Sequence, residues 1–180
     1  MSLEFYKFIK QHAGNNPNHP AIIDGKTTIT YGQLLEQAEC FAGGLTNFKL
    51  NTQSKIGLLC LNQKEYLVAL MGAFLKGLTV VPYNFLLTPE DMIYITKDAT
   101  IDTVIVDSAF IKPETIPFIQ SFKNKILVGN IDPLNLSGDI LTYENFIKNS
   151  PHYKPGSRHN RAGSIPDIIL YTSGTTAKPK

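Results

Sequence analysis

Apolar residues recur along this chain at two periods, and the periods predict which segments are helices and which are strands. Between residues 31 and 45 an apolar residue returns every three or four positions, which is typical of an amphipathic helix packed on a core. Thr30 precedes this run and Gln33 follows three residues later, so the pair predicts a capping box at the helix start. Residues 3–14 predict a second helix, whose apolar set is Leu3, Phe5, Phe8 and Ile9.

A β-hairpin is predicted between these two helices. Residues 21–23 and 27–29 are apolar or β-branched, and Asp24 and Gly25 lie between them. An Asp-Gly pair between two such runs is typical of a tight hairpin turn.

Short apolar runs then alternate with helical patterns over the rest of the chain. Strands are predicted at residues 56–61, 79–81, 103–106, 125–128 and 167–171, and helices at residues 65–76, from Thr88 onward and at 110–122. Thr88 is the expected cap of its helix, with Pro89 in the first turn. Strands that alternate with helices indicate βαβ units. The predicted fold class is therefore α/β, with a largely parallel sheet preceded by a helix and a β-hairpin.

The composition predicts one globular domain with a division near its end. We expect an α/β subdomain at residues 1–149, a linker rich in Pro, Gly, Ser and basic residues at 150–166, and a last strand and loop at 167–180. The formal net charge of +2 gives no electrostatic case for nucleic-acid binding. Cys40 and Cys60 have no metal-site spacing, so both are expected to be buried, reduced thiols.

The N-terminus lacks the uninterrupted apolar run of a signal peptide, and the longest apolar run, residues 66–75, is too short to span a membrane. We therefore expect a cytoplasmic protein without a transmembrane segment.

The last ten residues, YTSGTTAKPK at 171–180, carry the candidate chemistry, and we call them the phosphate segment. Successive backbone N–H groups in a tight loop can form a concave anion site, and hydroxyl groups and lysines add donors and positive charge. The motif is not the GxxxxGK[ST] loop of kinases and GTPases. Composition alone leaves open a flexible polar tail.

The phosphate segment resembles the signature loop of the adenylate-forming enzymes, which comprise acyl-CoA synthetases, luciferases and peptide-synthetase adenylation domains. Residues 20–45 resemble the opening hairpin and helix of that family, and residues 56–96 resemble the stretch that follows. The resemblance extends from about residue 20 to residue 180 and is loose at 107–165. By this resemblance the chain is an incomplete N-terminal subdomain of an ATP-dependent acid–CoA ligase.

The resemblance implies that the loop closes over the β- and γ-phosphates of ATP with Mg²⁺, while a carboxylic acid, with fatty acids as one class, is adenylated and then transferred to CoA. Ala177 departs from the pattern, because the family has Gly there. The residues that map onto the phosphate-contacting positions are Thr172, Ser173, Gly174, Thr175, Thr176 and Lys180. No catalytic or metal-ligating residue is assigned within the chain.

Three alternatives follow from the resemblance. The chain is part of a longer acid–CoA ligase and is inactive by itself, or it is a naturally short interaction protein without catalysis, or it belongs to an adenylation domain that loads a carrier protein. An incomplete parallel sheet would expose an edge and apolar surface, so self-association is also expected.

Overall fold

The computed structural model describes residues 2–25, 27–51, 53–130, 140–154, 168–172 and 179. Helices and strands alternate after an opening helix and hairpin. In chain order the elements are α1 (Ser2–Asn15), β1 (Pro20–Asp24), β2 (Thr27–Thr30), α2 (Tyr31–Gly44), β3 (Lys55–Leu59), α3 (Lys64–Leu75), β4 (Thr79–Pro82), α4 (Pro89–Asp98), β5 (Thr103–Asp107), α5 (Ile116–Gln120), β6 (Asn124–Val128), β7 (Ile140–Thr142) and α6 (Tyr143–Lys148).

Strands β3 to β7 form one sheet in the order β4-β3-β5-β6-β7, and all its pairs are parallel. Ile56 on β3 pairs with Val80 on β4 and with Thr103 on β5, so β3 lies between them. The chain therefore leaves β3 toward β4 and later returns on the other side of β3 to form β5. This reversal of strand order defines the topological switch point of the sheet. The predicted α/β class with a parallel sheet is confirmed.

Alternate side chains of each central strand enter different cores. Ile105 on β5 packs with α1, α2, α3 and α6 in the first core, whereas Val104 and Val106 pack with α4 and α5 in the second. The strands read as continuous apolar runs because both faces are covered by helices.

The predicted helix starts are confirmed. The Thr30 side chain accepts a hydrogen bond from the Gln33 backbone N–H, and the Gln33 side chain accepts one from the Thr30 backbone N–H. Thr88 likewise accepts from the Asp91 N–H, with Pro89 in the first turn. The hairpin also forms, with Ile23 opposite Thr28 and Gly25 at φ 51° in its turn.

The predicted helix at 110–122 is wrong. Residues 108–110 form a short 3₁₀ turn, and the α-helix covers Ile116–Gln120 alone. Thr115 accounts for the late start, since its hydroxyl donates to the Phe110 carbonyl and accepts from the Lys112 N–H. These bonds hold the preceding turn in a non-helical path, and Pro113 within that turn cannot donate a backbone bond.

The apolar set named for α1 is buried only in part, and the side chain of Leu3 lies outside the described residues. Ile9 is buried as expected, but Phe5 and Phe8 are 45% and 60% exposed, and the helix instead buries Tyr6 and Ala13. The Tyr6 hydroxyl donates to Glu39 Oε1 on α2 at 3.1 Å, so the face that meets α2 includes a polar partner.

Both cysteines are free and buried, as predicted. Sγ of Cys60 donates to the Ile105 carbonyl at 3.6 Å, and burial raises the pKa of the thiol. Within the described part of the chain, no helix combines the length and apolar character needed to cross a membrane.

Candidate functional site

The phosphate segment begins at the β4 edge of the sheet. Ile168 forms a parallel bridge with Val80, and the Ile169 N–H donates to the Val80 carbonyl at 3.0 Å. The predicted strand at 167–171 is thus reduced to a single bridge within the described residues 168–172. Because the bridge is parallel to β4, the chain leaves it toward the carboxyl ends of the strands, the edge where open α/β sheets bind ligands.

Alternate residues of this short stretch face the second core. Ile169 and Tyr171 pack against it, whereas Leu170 is 69% exposed. The Tyr171 hydroxyl donates to Asp98 Oδ2 at 2.5 Å, which links the first residue of the phosphate segment to the end of α4. Burial, and then the hydrogen bond and negative charge of Asp98, raise the pKa of Tyr171.

A second tyrosine fixes α4 from inside the core. The Tyr83 side chain is 6% exposed, and its hydroxyl lies 2.6 Å from Thr96 Oγ1. Thr96 donates its own hydroxyl proton to the Met92 carbonyl, so Tyr83 is the donor to Thr96. Burial raises the pKa of Tyr83. The turn of α4 that ends at Asp98 is therefore held to the residue that follows β4.

A polar cluster lies at the switch point between β3 and β5. Asp107, 5% exposed, accepts from Gln63 Nε2 at 2.5 Å and from the Ala109 N–H at 2.8 Å. Beside it is a cleft of about 290 Å³, lined by Ile22, Ile23, Asp24, Asn62, Gln63, Tyr66 and Leu67. Asp107 and Gln63 were not identified from the sequence, although Asp107 ends one apolar strand and Gln63 follows the end of another by four residues.

The sequence-predicted site residues are described in part. Thr172 is exposed and follows Tyr171 at the carboxyl edge. Ser173, Gly174, Thr175, Thr176 and Lys180 lie outside the described residues, as does Ala177. Among the described residues, no group of three or more His, Cys, Asp or Glu side chains could hold a metal ion.

Residues 150–154, the start of the predicted linker, lie against α2 and α3. The Tyr153 N–H donates to the Glu39 carbonyl at 3.0 Å, and His152 Nδ1 lies 3.5 Å from Glu39 Oε2. Lys76 Nζ is 4.6 Å from the centre of the Tyr153 ring. The chain is therefore attached to the helical layer at His152 and Tyr153.

Comparison with known proteins gives consistent matches. A family model described as "AMP-binding enzyme" matches residues 9–180. A medium/long-chain-fatty-acid–CoA/3-oxocholest-4-en-26-oate–CoA ligase from Mycolicibacterium smegmatis is 30% identical over 169 residues, which cover 91% of this chain and 30% of the ligase. A long-chain-fatty-acid–CoA ligase from Haemophilus influenzae is 31% identical over 157 residues, covering 83% of this chain and 27% of the ligase.

A solved structure of a CoA ligase also matches the fold. The crystal structure of an anthranilate CoA ligase in complex with anthranoyl-AMP matches with a TM-score of 0.79 at 21% identity, over 97% of this chain and 33% of that one. The chain thus spans 27–33% of the length of these three proteins.

Proposed function

We propose that this chain, which belongs to the family of AMP-binding enzymes, carries the N-terminal region of an ATP-dependent carboxylic acid–CoA ligase. The observation that carries the proposal is the parallel pairing of Ile168 with Val80, because it directs Tyr171 and Thr172, the first two residues of the phosphate segment, to the carboxyl edge of the sheet. The names of the related ligases support the reaction class.

In the proposed reaction a substrate carboxylate attacks the α-phosphorus of ATP, the bond to the β-phosphate bridging oxygen breaks, and pyrophosphate leaves. The thiol of CoA then displaces AMP from the acyl-adenylate to give the thioester. Charge accumulates on the leaving pyrophosphate, so donors fixed around its oxygens lower the barrier.

The phosphate segment has the chemistry for that task. The hydroxyl groups of Thr172, Ser173, Thr175 and Thr176 donate to phosphate oxygens, Gly174 permits close backbone approach, and Lys180 supplies positive charge. None of residues 171–180 is a carboxylate, which suits a site for anionic oxygens. Mg²⁺ bound to the nucleotide would neutralise part of the phosphate charge.

The proposed substrate class is fatty acids, supported by the two related fatty-acid–CoA ligases. We further propose a cytoplasmic location and CoA, rather than a carrier protein, as the acceptor. The 180-residue polypeptide spans 30% of the Mycolicibacterium ligase, and we propose that it is insufficient for catalysis and self-associates when expressed alone.

Acid-dependent ATP–pyrophosphate exchange tests the proposal. The protein made from the complete reading frame is assayed with fatty acids of increasing chain length, with aromatic acids and without acid, and the thioester product is measured with CoA or a carrier protein. Exchange that needs a fatty acid, followed by acyl-CoA formation, supports the assignment. Absence of exchange with every acid contradicts it.

A matched pair of variants tests the phosphate segment. Thr176→Val keeps the shape of the side chain but removes its hydroxyl, and the loss of one phosphate donor is expected to lower the exchange rate at least about ten-fold. Thr28→Val makes the same change at an exposed position of the hairpin and should leave the rate unchanged. Equal rates for both variants would remove Thr176 from the proposed site.

A further inference from the structure

Asp98, the last residue of α4, is hydrogen-bonded to Tyr171, the first residue of the phosphate segment. Asp98 is exposed and accepts a hydrogen bond from the hydroxyl of Tyr171 at 2.5 Å, 73 residues away in sequence. We propose that Asp98 is a positioning residue, which fixes the starting direction of the phosphate segment through Tyr171. The inference rests on the proposed function and adds a residue outside the signature motif.

Among the described residues, this part of the chain is restrained by its attachment to β4 and by the packing of Ile169 and Tyr171 against the second core. The backbone attachment to β4 is the Ile168 bridge with the Ile169 N–H bond, and the next side chain, Leu170, is 69% exposed. Backbone rotation after Ile169 would swing Thr172 away from the sheet edge. The bond from Tyr171 to Asp98 opposes that rotation, because it ties the chain at a second point, two residues beyond the first.

The support under Asp98 is rigid. Thr96, two residues earlier in α4, lies 2.6 Å from the buried hydroxyl of Tyr83, and Ile95 is 1% exposed in the second core. The end of α4 therefore cannot move without disturbing packed side chains. Because Asp98 is held in place, its hydrogen bond also fixes the position of Tyr171.

The charge of Asp98 also points to a role beyond helix stability. The carbonyl end of a helix carries partial negative charge, and a carboxylate there is unfavourable. Asp98 occupies the last position of α4. Its hydrogen bond to Tyr171 supplies a compensating interaction, which an apolar or basic residue at that position would not provide.

The test compares Asp98→Ala, Asp98→Asn and Tyr171→Phe in the protein made from the complete reading frame. Asp98→Ala and Tyr171→Phe each remove the bond, and we expect each to raise the KM for ATP about five-fold while the KM for the acid stays constant. Asp98→Asn retains an acceptor oxygen and should restore the KM for ATP to within about two-fold of wild type. The double variant should match the single ones, since both act on one bond.

Glu114→Ala is the matched control, because Glu114 is an exposed carboxylate in the turn before α5. A change in KM for ATP in Glu114→Ala equal to that in Asp98→Ala would mean that net charge, not position, is responsible. A KM for ATP in Asp98→Asn equal to that in Asp98→Ala would likewise mean that net charge, not position, is responsible. Additive effects of Asp98→Ala and Tyr171→Phe would also overturn the proposal.

A second readout does not depend on catalysis. Amide hydrogen exchange at Tyr171 and Thr172 should become faster in Asp98→Ala than in wild type and Glu114→Ala, because the second tie is lost. If the wild-type enzyme shows no ATP–pyrophosphate exchange, the proposed function fails while this measurement still decides the positioning role. Unchanged amide exchange in Asp98→Ala would refute that role.

Discussion

Gly43 on α2 lies directly against the backbone carbonyl of Pro151, and a Cβ atom at Gly43 would overlap that oxygen. The neighbouring Gly44 is similarly crowded by the Ser150 hydroxyl and by the Phe146 ring. The close approach allows residues 150–154 to reach Glu39 with both a backbone and a side-chain contact. Two small residues in α2 are therefore required for this part of the chain to dock.

Gly43→Ala should destabilise the protein, because the new methyl group meets a backbone atom that cannot rotate away. We expect a loss of about 1–3 kcal/mol in the free energy of unfolding. Gly14→Ala, in α1, adds the same methyl group where no atom lies within 4 Å, and should stabilise by about 0.5 kcal/mol. Urea unfolding of both variants measures the difference, and equal free energies would contradict the docking described for Pro151.

Tyr143→Phe should stabilise the protein. The Tyr143 hydroxyl is buried and has no hydrogen-bond partner in the described part of the chain, and an unpaired buried hydroxyl carries a desolvation cost. Its removal is expected to add about 1 kcal/mol to the free energy of unfolding.

Tyr83→Phe is the counterpart, since it removes a hydroxyl that is hydrogen-bonded to Thr96, and it should cost about 1 kcal/mol. Thermal or urea unfolding checks both signs. A destabilised Tyr143→Phe would mean that its hydroxyl has a partner in solution.

The stability of the protein should fall above pH 10 in part because of Tyr6. Burial, and then the charge and hydrogen bond of Glu39, raise the pKa of Tyr6 from 10.0 to about 12. Between these values the unfolded chain loses the phenolic proton while the folded chain keeps it, so unfolding becomes more favourable as the pH rises. The contribution of Tyr6 to the free energy of unfolding is fully present below pH 10 and is lost as the pH rises from 10 to about 12.

Tyr6→Phe should therefore show a shallower fall in unfolding free energy over that window. Phenolate absorbance gives an independent reading, since the chain has no tryptophan, and the difference between wild type and Tyr6→Phe reports Tyr6 alone. Glu39→Gln should lower the pKa of Tyr6, because one of its causes is removed. A difference spectrum unchanged by Glu39→Gln would rule out that coupling.

Ala177→Gly should raise the rate of the proposed adenylation. Ala177 stands where the family pattern has Gly, and a glycine there widens the backbone conformations open to the loop. We expect a rise of about two- to five-fold in the exchange rate, on the order of the 1 kcal/mol that separates Gly from Ala. An unchanged rate would show that this position needs no left-handed conformation.

Local sequence signals predicted most of the fold because they act through neighbouring residues. The Thr30–Gln33 box, the Asp24-Gly25 turn and the Thr88-Pro89 start each depend on two to four consecutive positions. Gly77, at φ 72°, ends α3 by the same kind of local rule. Such features are readable without knowledge of the tertiary structure.

The errors lie where tertiary contacts or side-chain bonds decide. Burial of Tyr6 instead of Phe8 depends on Glu39 on another helix, and the short α5 depends on the bonds of Thr115. Strand β7 and helix α6 were not predicted, because three residues at Ile140–Thr142 give no clear period.

The candidate site was found in part. The phosphate segment was identified from its residues and resemblance, whereas Asp98 was not, because its partner lies 73 residues away and no local pattern connects them. Asp107 and Gln63 meet only when β3 and β5 become neighbours.

The sheet order has a consequence for the folding pathway. Strand β7 lies at one edge of the sheet, and Ile168 pairs with Val80 of β4 at the other edge. The two paired residues are 88 positions apart in the sequence, from residue 80 to residue 168. Pairing at such a distance closes a long loop, which makes it slow relative to the neighbouring βαβ units. The start of the phosphate segment is therefore expected to reach its place last, after the strand that receives it has already been incorporated into the sheet.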